Sequence, residues 1–206
     1  MKVGTDAVLL GAWADVSNSK TILDIGTGSG VIALMLAQRM PLAQVDAVEI
    51  DEASAKQAEE NFERSVFANR LRAYNSAIQD FEGKYDLIVS NPPFFSKSLL
   101  PPTSGRQIAR HTTTLTHDDL LKAVVRLLDL AGIFAVIVPT EDIIKIAKHS
   151  GLYCNRKTSV IPRNKVERFL LEFSRTEKVS VEDELILHDG ERRGDGYRKL
   201  TQEFYL

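Results

Sequence analysis

Leu23-Asp24-Ile25-Gly26-Thr27-Gly28-Ser29-Gly30 is the stretch whose reading decides the fold. Thr21 to Ile25 is an apolar run of strand length, and Val31 to Arg39 resumes as a helical pattern closed off by Pro41. The octapeptide is therefore a buried strand that breaks into glycines and opens a helix. Glycine adopts positive φ without strain and lets the backbone approach a ligand closely. The spacing is G-x-G-x-G, and Val31 stands where a dinucleotide-type G-x-G-x-x-G would need its last glycine. A pyrophosphate cradle is disfavoured on that ground.

Outward from this turn, strand-length apolar runs alternate with helical patterns, which predicts an α/β fold with a mostly parallel sheet. Val8, Leu9, Ala12, Trp13 and Val16 recur on one face of a leading helix over 5–16. Gln44 to Glu49 reads as the second strand, Asp51 to Arg64 as a helix, Leu71 to Asn75 as the third strand and Tyr85 to Ser90 as the fourth. A connection from Asn91 to Thr116 follows, longer than a compact domain tolerates without a functional reason. Thr116 and Asp119 resemble a capping box before Leu120, Leu121, Val124, Val125 and Leu128, with Gly132 ending that helix ahead of a strand over Ile133 to Val138. Another helix capped by Thr140 runs to Gly151, and Leu152 to Ile161 and Lys165 to Ser174 form two antiparallel strands. The tail from Thr176 is polar and ends in an aromatic cluster.

Composition narrows the function. The net charge of -2 argues against a protein coated in nucleic acid, but residues 91–175 carry 13 Lys+Arg against 7 Asp+Glu, while 1–90 carry 8 against 13 and the rest 5 against 8. A basic middle segment holds a polyanion locally, and ordinary solvated surface explains the same counts. One cysteine, Cys154, excludes an internal disulfide and favours a reducing cytoplasm. His111, His117, His149 and His188 show no ligand spacing, so no metal is expected. No apolar run is long enough to span a membrane.

Two groups of residues carry chemistry. Glu49 ends the second strand, where a carboxylate accepts hydrogen bonds from two ribose hydroxyls, and Asp24 beside it suits a cationic amino group. A helix-capping Asp24 and a solvated Glu49 are the plainer alternative. Ser90-Asn91-Pro92-Pro93-Phe94 follows the apolar strand Asp86 to Val89. Its prolines cannot donate and hold the chain extended. The Asn91 amide oxygen and the Pro92 carbonyl would form an acceptor pair for a planar NH2 group, and Phe94 offers a face for base stacking. The alternative is a turn with a buried aromatic.

Asp24 to Gly30 resembles motif I of class I S-adenosylmethionine-dependent methyltransferases, Glu49 their acidic ribose-binding position, and Asn91-Pro92-Pro93-Phe94 their amino-methylating [DNS]-P-P-[YFW] motif. From Met1-Lys2-Val3-Gly4-Thr5-Asp6 and Gly11-Ala12-Trp13 through Asn-Pro-Pro-Phe-Phe to Tyr197–Leu206, nearly the whole chain is similar to the bacterial tRNA (adenine-N6)-methyltransferases, which modify adenosine-37 of a valine tRNA. The resemblance implies a Rossmann-like seven-stranded sheet with one antiparallel strand and helices on both faces. It implies one methyltransferase domain over 1–206, with a cofactor half at 21–90 and a substrate half at 91–206. It further implies S-adenosyl-L-methionine as donor and tRNA as partner, in a monomer or weak homodimer. Asn91, Pro92, Pro93 and Phe94 would be catalytic, and Asp24, Gly26, Gly28, Gly30, Glu49, Asp80 and Thr5 would hold the cofactor. Ser76 and Ala77 occupy the usual place of the acidic adenine contact, with Asp80 slightly later. Family members carry further residues ahead of the Met1–Asp6 segment, an expectation that this chain begins late relative to them.

The expected reaction is attack of N6 on the sulfonium methyl, accelerated mainly by positioning. An unpaired anticodon-loop base is cheap to flip. Lys97, Arg106, Arg110, His111, Arg156, Lys157, Arg163, Lys165 and Arg168 are candidate phosphate contacts. Competing readings are a guanine-N2 methyltransferase acting on rRNA, a protein glutamine methyltransferase, and a non-catalytic RNA-binding protein.

Overall fold

The computed structural model describes residues 4–17, 19–92, 115–190 and 192–204. Helix α1 (Thr5–Trp13) leads into strand β1 (Thr21–Ile25), then α2 (Val31–Arg39), β2 (Gln44–Glu49), α3 (Glu52–Glu63), β3 (Leu71–Asn75) and β4 (Tyr85–Ser90). After the undescribed stretch come α4 (His117–Leu127), β5 (Leu128–Val138), α5 (Asp142–His149), β6 (Tyr153–Ile161) and β7 (Arg168–Ser174). Strand β8 (Val181–Ile186), a small hairpin of β9 (His188–Asp189) and β10 (Arg192–Arg193), and α6 (Asp195–Thr201) complete the order.

The strands form an eight-stranded sheet in the order β3-β2-β1-β4-β5-β7-β6-β8. Only β7 runs against its neighbours β5 and β6, and β8 returns parallel to β6. Seven strands were expected; the eighth is Val-Glu-Asp-Glu-Leu-Ile, a polar segment in which only Leu185 is buried. An edge strand needs no apolar face to be held by ladder hydrogen bonds, and its carboxylates discourage further pairing. The helix before β5 also stops sooner than Gly132 indicates: the chain passes from Leu127 directly into extended structure at Leu128, which pairs with Tyr85. Leu128 lies on the helix's apolar stripe and is buried in either conformation, so periodicity does not separate the two.

Alternation along the central strands explains why helices cover both faces. Ile22, Leu87 and Val89 pack with Leu9, Leu10 and Trp13 of α1, Ile32 and Leu36 of α2, and Phe62 of α3. Leu23, Ile25 and Ile88 point the other way, onto Leu120, Leu121 and Val124 of α4 and Ile143 of α5. Local chemistry starts two of these helices. Asp51 accepts a hydrogen bond from the Ser54 amide at 2.8 Å, and Thr116 accepts one from the Asp119 amide at 3.1 Å. Among the described residues, no helix is long and apolar enough to cross a membrane.

Gly30 opens α2 at φ +83°, and a Cβ placed there would stand 2.4 Å from the Phe62 ring. Two penalties therefore meet at one position: left-handed backbone, about 1 to 2 kcal/mol for an L-residue, and overpacking, about 1 to 3 kcal/mol. Gly30→Ala is expected to lose about 2 to 5 kcal/mol in urea unfolding; a loss below about 0.5 kcal/mol would show that the turn relaxes freely.

Candidate active site

The parallel ladder of β1 and β4 sets Asp24 against Val89 and Ile25 against Ser90. Gly26 and Asn91 are thus the next residues out on neighbouring strands, about 5 Å apart across the ladder. The glycine turn and the Asn-Pro turn leave the same edge of one sheet. Ser90 ties them together, its buried hydroxyl donating to the Ile25 carbonyl at 2.9 Å. Sequence reasoning passed over Ser90, whose only signal was a polar residue ending an otherwise apolar strand.

Three glycines carry the first turn, with φ of 71° at Gly26, 57° at Gly28 and 83° at Gly30. The amides of Gly26 and Thr27 donate to the Val48 carbonyl at 2.8 and 3.2 Å, which folds the loop over the end of β2. That brings Gly28 to Glu49: its amide donates to Glu49 Oε2 at 3.0 Å, while Oε1 accepts from the Asp51 amide at 3.0 Å. Asn75 at the end of β3 donates to the carbonyls of Glu49 and Ile50. Beside it Ile50 leaves about half of its side chain exposed, 48%. An exposed isoleucine between two acids offers an apolar face next to the Glu49 carboxylate, and the Glu-Ile-Asp sequence is its signal.

Asp24 is fully buried, and only one of its oxygens has a hydrogen-bond partner among the described residues. Oδ2 accepts from the Thr27 hydroxyl at 2.6 Å, whereas Oδ1 has no hydrogen-bond partner among the described residues. Burial pushes its carboxyl up to about 7; the Thr27 hydroxyl and, less strongly, the Ala33 amide oppose the rise, and the neighbouring Glu49 charge adds to it. A buried acceptor left unpaired costs about 1 to 3 kcal/mol, so the site is built to receive a donor, best a cationic one.

The other expected residues fall into place unevenly. Thr5 is exposed at the start of α1, and the adjacent Asp6 accepts from Arg168 Nε at 2.9 Å. Arg168 begins β7 just beyond Phe169, which pairs with Val138 at the end of β5, so the start of α1 is pinned to the same sheet edge. Asp80 is exposed in the turn after β3, its amide bonded to the Ala77 carbonyl. The carbonyls of Ile78, Gln79 and Phe81 around it are taken by Arg126 of α4. Ser76, by contrast, donates its amide to the Glu49 carbonyl at 3.1 Å. Ser76 thus sits at the Glu49 end of β2 through its backbone. Asn91 is half-buried and Pro92 buried, while Pro93 and Phe94 lie outside the described residues. Cys154 is half-buried with its thiol pushed up to about 11 by burial, which leaves it no thiolate character at neutral pH.

A sheet in this order, with an acid next to the end of β1 and another ending β2 around a glycine turn, and an Asn-Pro turn after β4, defines a class I methyltransferase. In sequence, residues 3–131 match the family described as Methyltransferase small domain. The chain belongs to the tRNA1(Val) (adenine(37)-N6)-methyltransferase family. A member from Histophilus somni is 41% identical over 214 residues, covering 100% of this chain and 91% of the relative. One from Bacteroides fragilis is 46% identical over 220 residues with the same coverage. A third, from Trichodesmium erythraeum, is 50% identical over 186 residues, 85% of this chain and 78% of its own. None of these names favours the guanine, glutamine or non-catalytic readings. Among solved structures, a predicted O-methyltransferase from Agrobacterium tumefaciens superposes at TM-score 0.71 with 17% identity, covering 96% of both chains. A ribosomal protein L11 methylase from Lactobacillus delbrueckii follows at 0.55 with 20% identity, over 83% of this chain and 78% of its own. At those identities the likeness concerns the fold.

The raised carboxyl of Asp24 has a consequence for stability. Its folded value, about 7, lies above the ordinary 3.8, so the ligand-free protein gives up stability as pH rises from about 4 to about 7 and keeps that deficit above. Asp24→Asn, with no charge to bury, is expected to melt higher than the parent at pH 8 without ligand, the gain shrinking towards pH 4.5. Scanning calorimetry at the two pH values checks this; an equal loss at both would contradict it.

Proposed function

We propose that the chain transfers a methyl group from S-adenosyl-L-methionine to the exocyclic N6 of adenine-37 in a valine tRNA. The observation that carries this reading is the shared edge: an unpaired buried carboxylate oxygen on β1 and a half-buried asparagine directly after the neighbouring β4. Asp24 would hold the amino group of the donor, Glu49 its ribose hydroxyls and Ile50 one face of its base, with Ser76 closing the pocket behind Glu49. The donor supplies an electrophilic sulfonium methyl.

The chain's own part is orientation. The Asn91 amide oxygen and the Pro92 carbonyl accept the two N6 protons and so localise the nitrogen lone pair, which otherwise delocalises into the purine ring. A nucleophile held in line with the methyl gains most of its advantage from lost translational and rotational freedom, and no general base is needed to begin the attack. As positive charge develops the amine becomes acidic, and its proton passes through Asn91's neighbourhood to water. Pro92 and Pro93, with no amide hydrogens, keep donors away from the amine. Phe94 would stack on the flipped base.

Labelled S-adenosylmethionine incubated with total tRNA tests the reading. N6-methyladenosine is the expected labelled nucleoside, and N2-methylguanosine, or label in protein alone, would overturn it. Asn91→Ala should lower transfer by at least about a hundredfold, as loss of a transition-state contact does, while calorimetry finds donor affinity within about twofold of the parent. Full activity in that variant would remove Asn91 from the mechanism.

A further inference from the structure

The sheet is not level along its working edge. Ser90 at the end of β4 lies opposite Val136, Val136 opposite Leu171, and Leu171 opposite Lys157 of β6. Strand β6 continues four residues past that level to Ile161. At 3.3 Å per residue and about 4.8 Å per strand, β6 rises about 13 Å above the end of β4 and stands about 14 Å to its side, with β7 about 10 Å to the side. The turn joining them, 162–167, is braced. The His188 ring donates to the Pro162 carbonyl at 3.1 Å, and the Leu187 amide to the Ile161 carbonyl at 2.9 Å.

Basic residues on this wall separate by what they already hold. Arg156 stacks on the Trp13 ring at 4.0 Å and pairs with Glu172. Lys157 bridges Glu141 and Glu182 at 3.1 and 2.9 Å, and Arg168 is bound to Asp6. Arg163 and Lys165 are exposed in the braced turn and carry no ion pair or hydrogen bond among the described residues. Exposed Val166 lies next to them, and Glu167 is the turn's one carboxylate. Lys97, Arg106, Arg110 and His111 lie outside the described residues.

We infer that the β6–β7 turn is a docking point for the RNA sugar-phosphate backbone, with Arg163 and Lys165 each neutralising a phosphate to one side of the target base. The inference rests on tRNA being the substrate. Two cations on this wall, about 13 Å above and about 14 Å to the side of the end of β4, stand about 19 Å from it, which matches roughly five to six nucleotides of stacked strand at 3.4 Å each. They would set where the anticodon stem lies without reading its sequence, since phosphate contacts position and base contacts specify.

The full chain with Arg163→Gln and Lys165→Gln is compared with the parent for tRNA binding across 50 to 200 mM salt. A control, Lys56→Gln with Arg64→Gln, carries the same net charge but loses its cations from α3. The double turn variant should bind tRNA about tenfold more weakly at low salt, and its salt slope should be shallower by about 1.4 to 1.8, the share of two phosphates. Each single turn variant should give about half of that change, and donor affinity by calorimetry should stay at the parental value. Unchanged tRNA affinity and slope in the turn variants, or an equal change in the α3 control, would overturn the docking site while leaving tRNA as substrate. A parent protein that neither binds nor methylates tRNA would overturn the substrate reading and this inference with it.

Discussion

The parallel pairing of β1 with β4, with Ile25 opposite Ser90, is the constraint on which the working edge depends. It places the last residues of two strands side by side, and the Ser90 hydroxyl on the Ile25 carbonyl fixes that register where the ladder ends. Side chains alternate with period two, so a slip of one residue would turn Ile22, Leu23 and Ile25 to the wrong layers and carry Asp24 out of its pocket. Burying both faces of β1 and β4 makes such a slip costly. The hydrophobic sandwich of α1 and α2 on one side and α4 and α5 on the other thereby holds the chemistry in place.

Within that frame the two acids have opposite characters. Glu49 is held by backbone amides on both oxygens, from Gly28 and Asp51, so its carboxylate is oriented before any ligand arrives. Asp24 is oriented by Thr27 on one oxygen and left wanting on the other. The first arrangement is ready for hydroxyl donors at little reorganisation cost. The second is a local destabilisation that the proposed cationic amino group of the donor would relieve, and function commonly stores instability in this way.

Much of this was legible in the sequence, for identifiable reasons. Gly26, Gly28 and Gly30 announce the turn because no other residue sits comfortably at those φ values, and the continuous apolar runs of β1 and β4 announce buried parallel strands. The capping pair Thr116 and Asp119 marked the start of α4. What escaped notice depended on distant partners. Arg156, Lys157 and Arg168 look like free cations until the fold brings Glu172, Glu141 and Asp6 to them, the last from 162 residues away. Strand β8 was hidden because an exposed edge strand shows no alternation. The backbone bonds of Arg126 to the turn around Asp80, and of Ser76 to Glu49, likewise join residues that the sequence keeps apart.

In the proposed reaction donor and target meet between the glycine turn and the Asn-Pro turn. A bisubstrate compound, in which adenosine N6 is covalently joined through a short linker to the sulfur-side position of the donor, tests this most directly in a calorimetric titration. It is expected to bind at least about a hundredfold more tightly than the donor alone, as ligands resembling a transition state do, and Asn91→Ala to remove most of the gain. Affinity equal to that of the donor alone would mean that the amine does not reach the pocket beside Asn91.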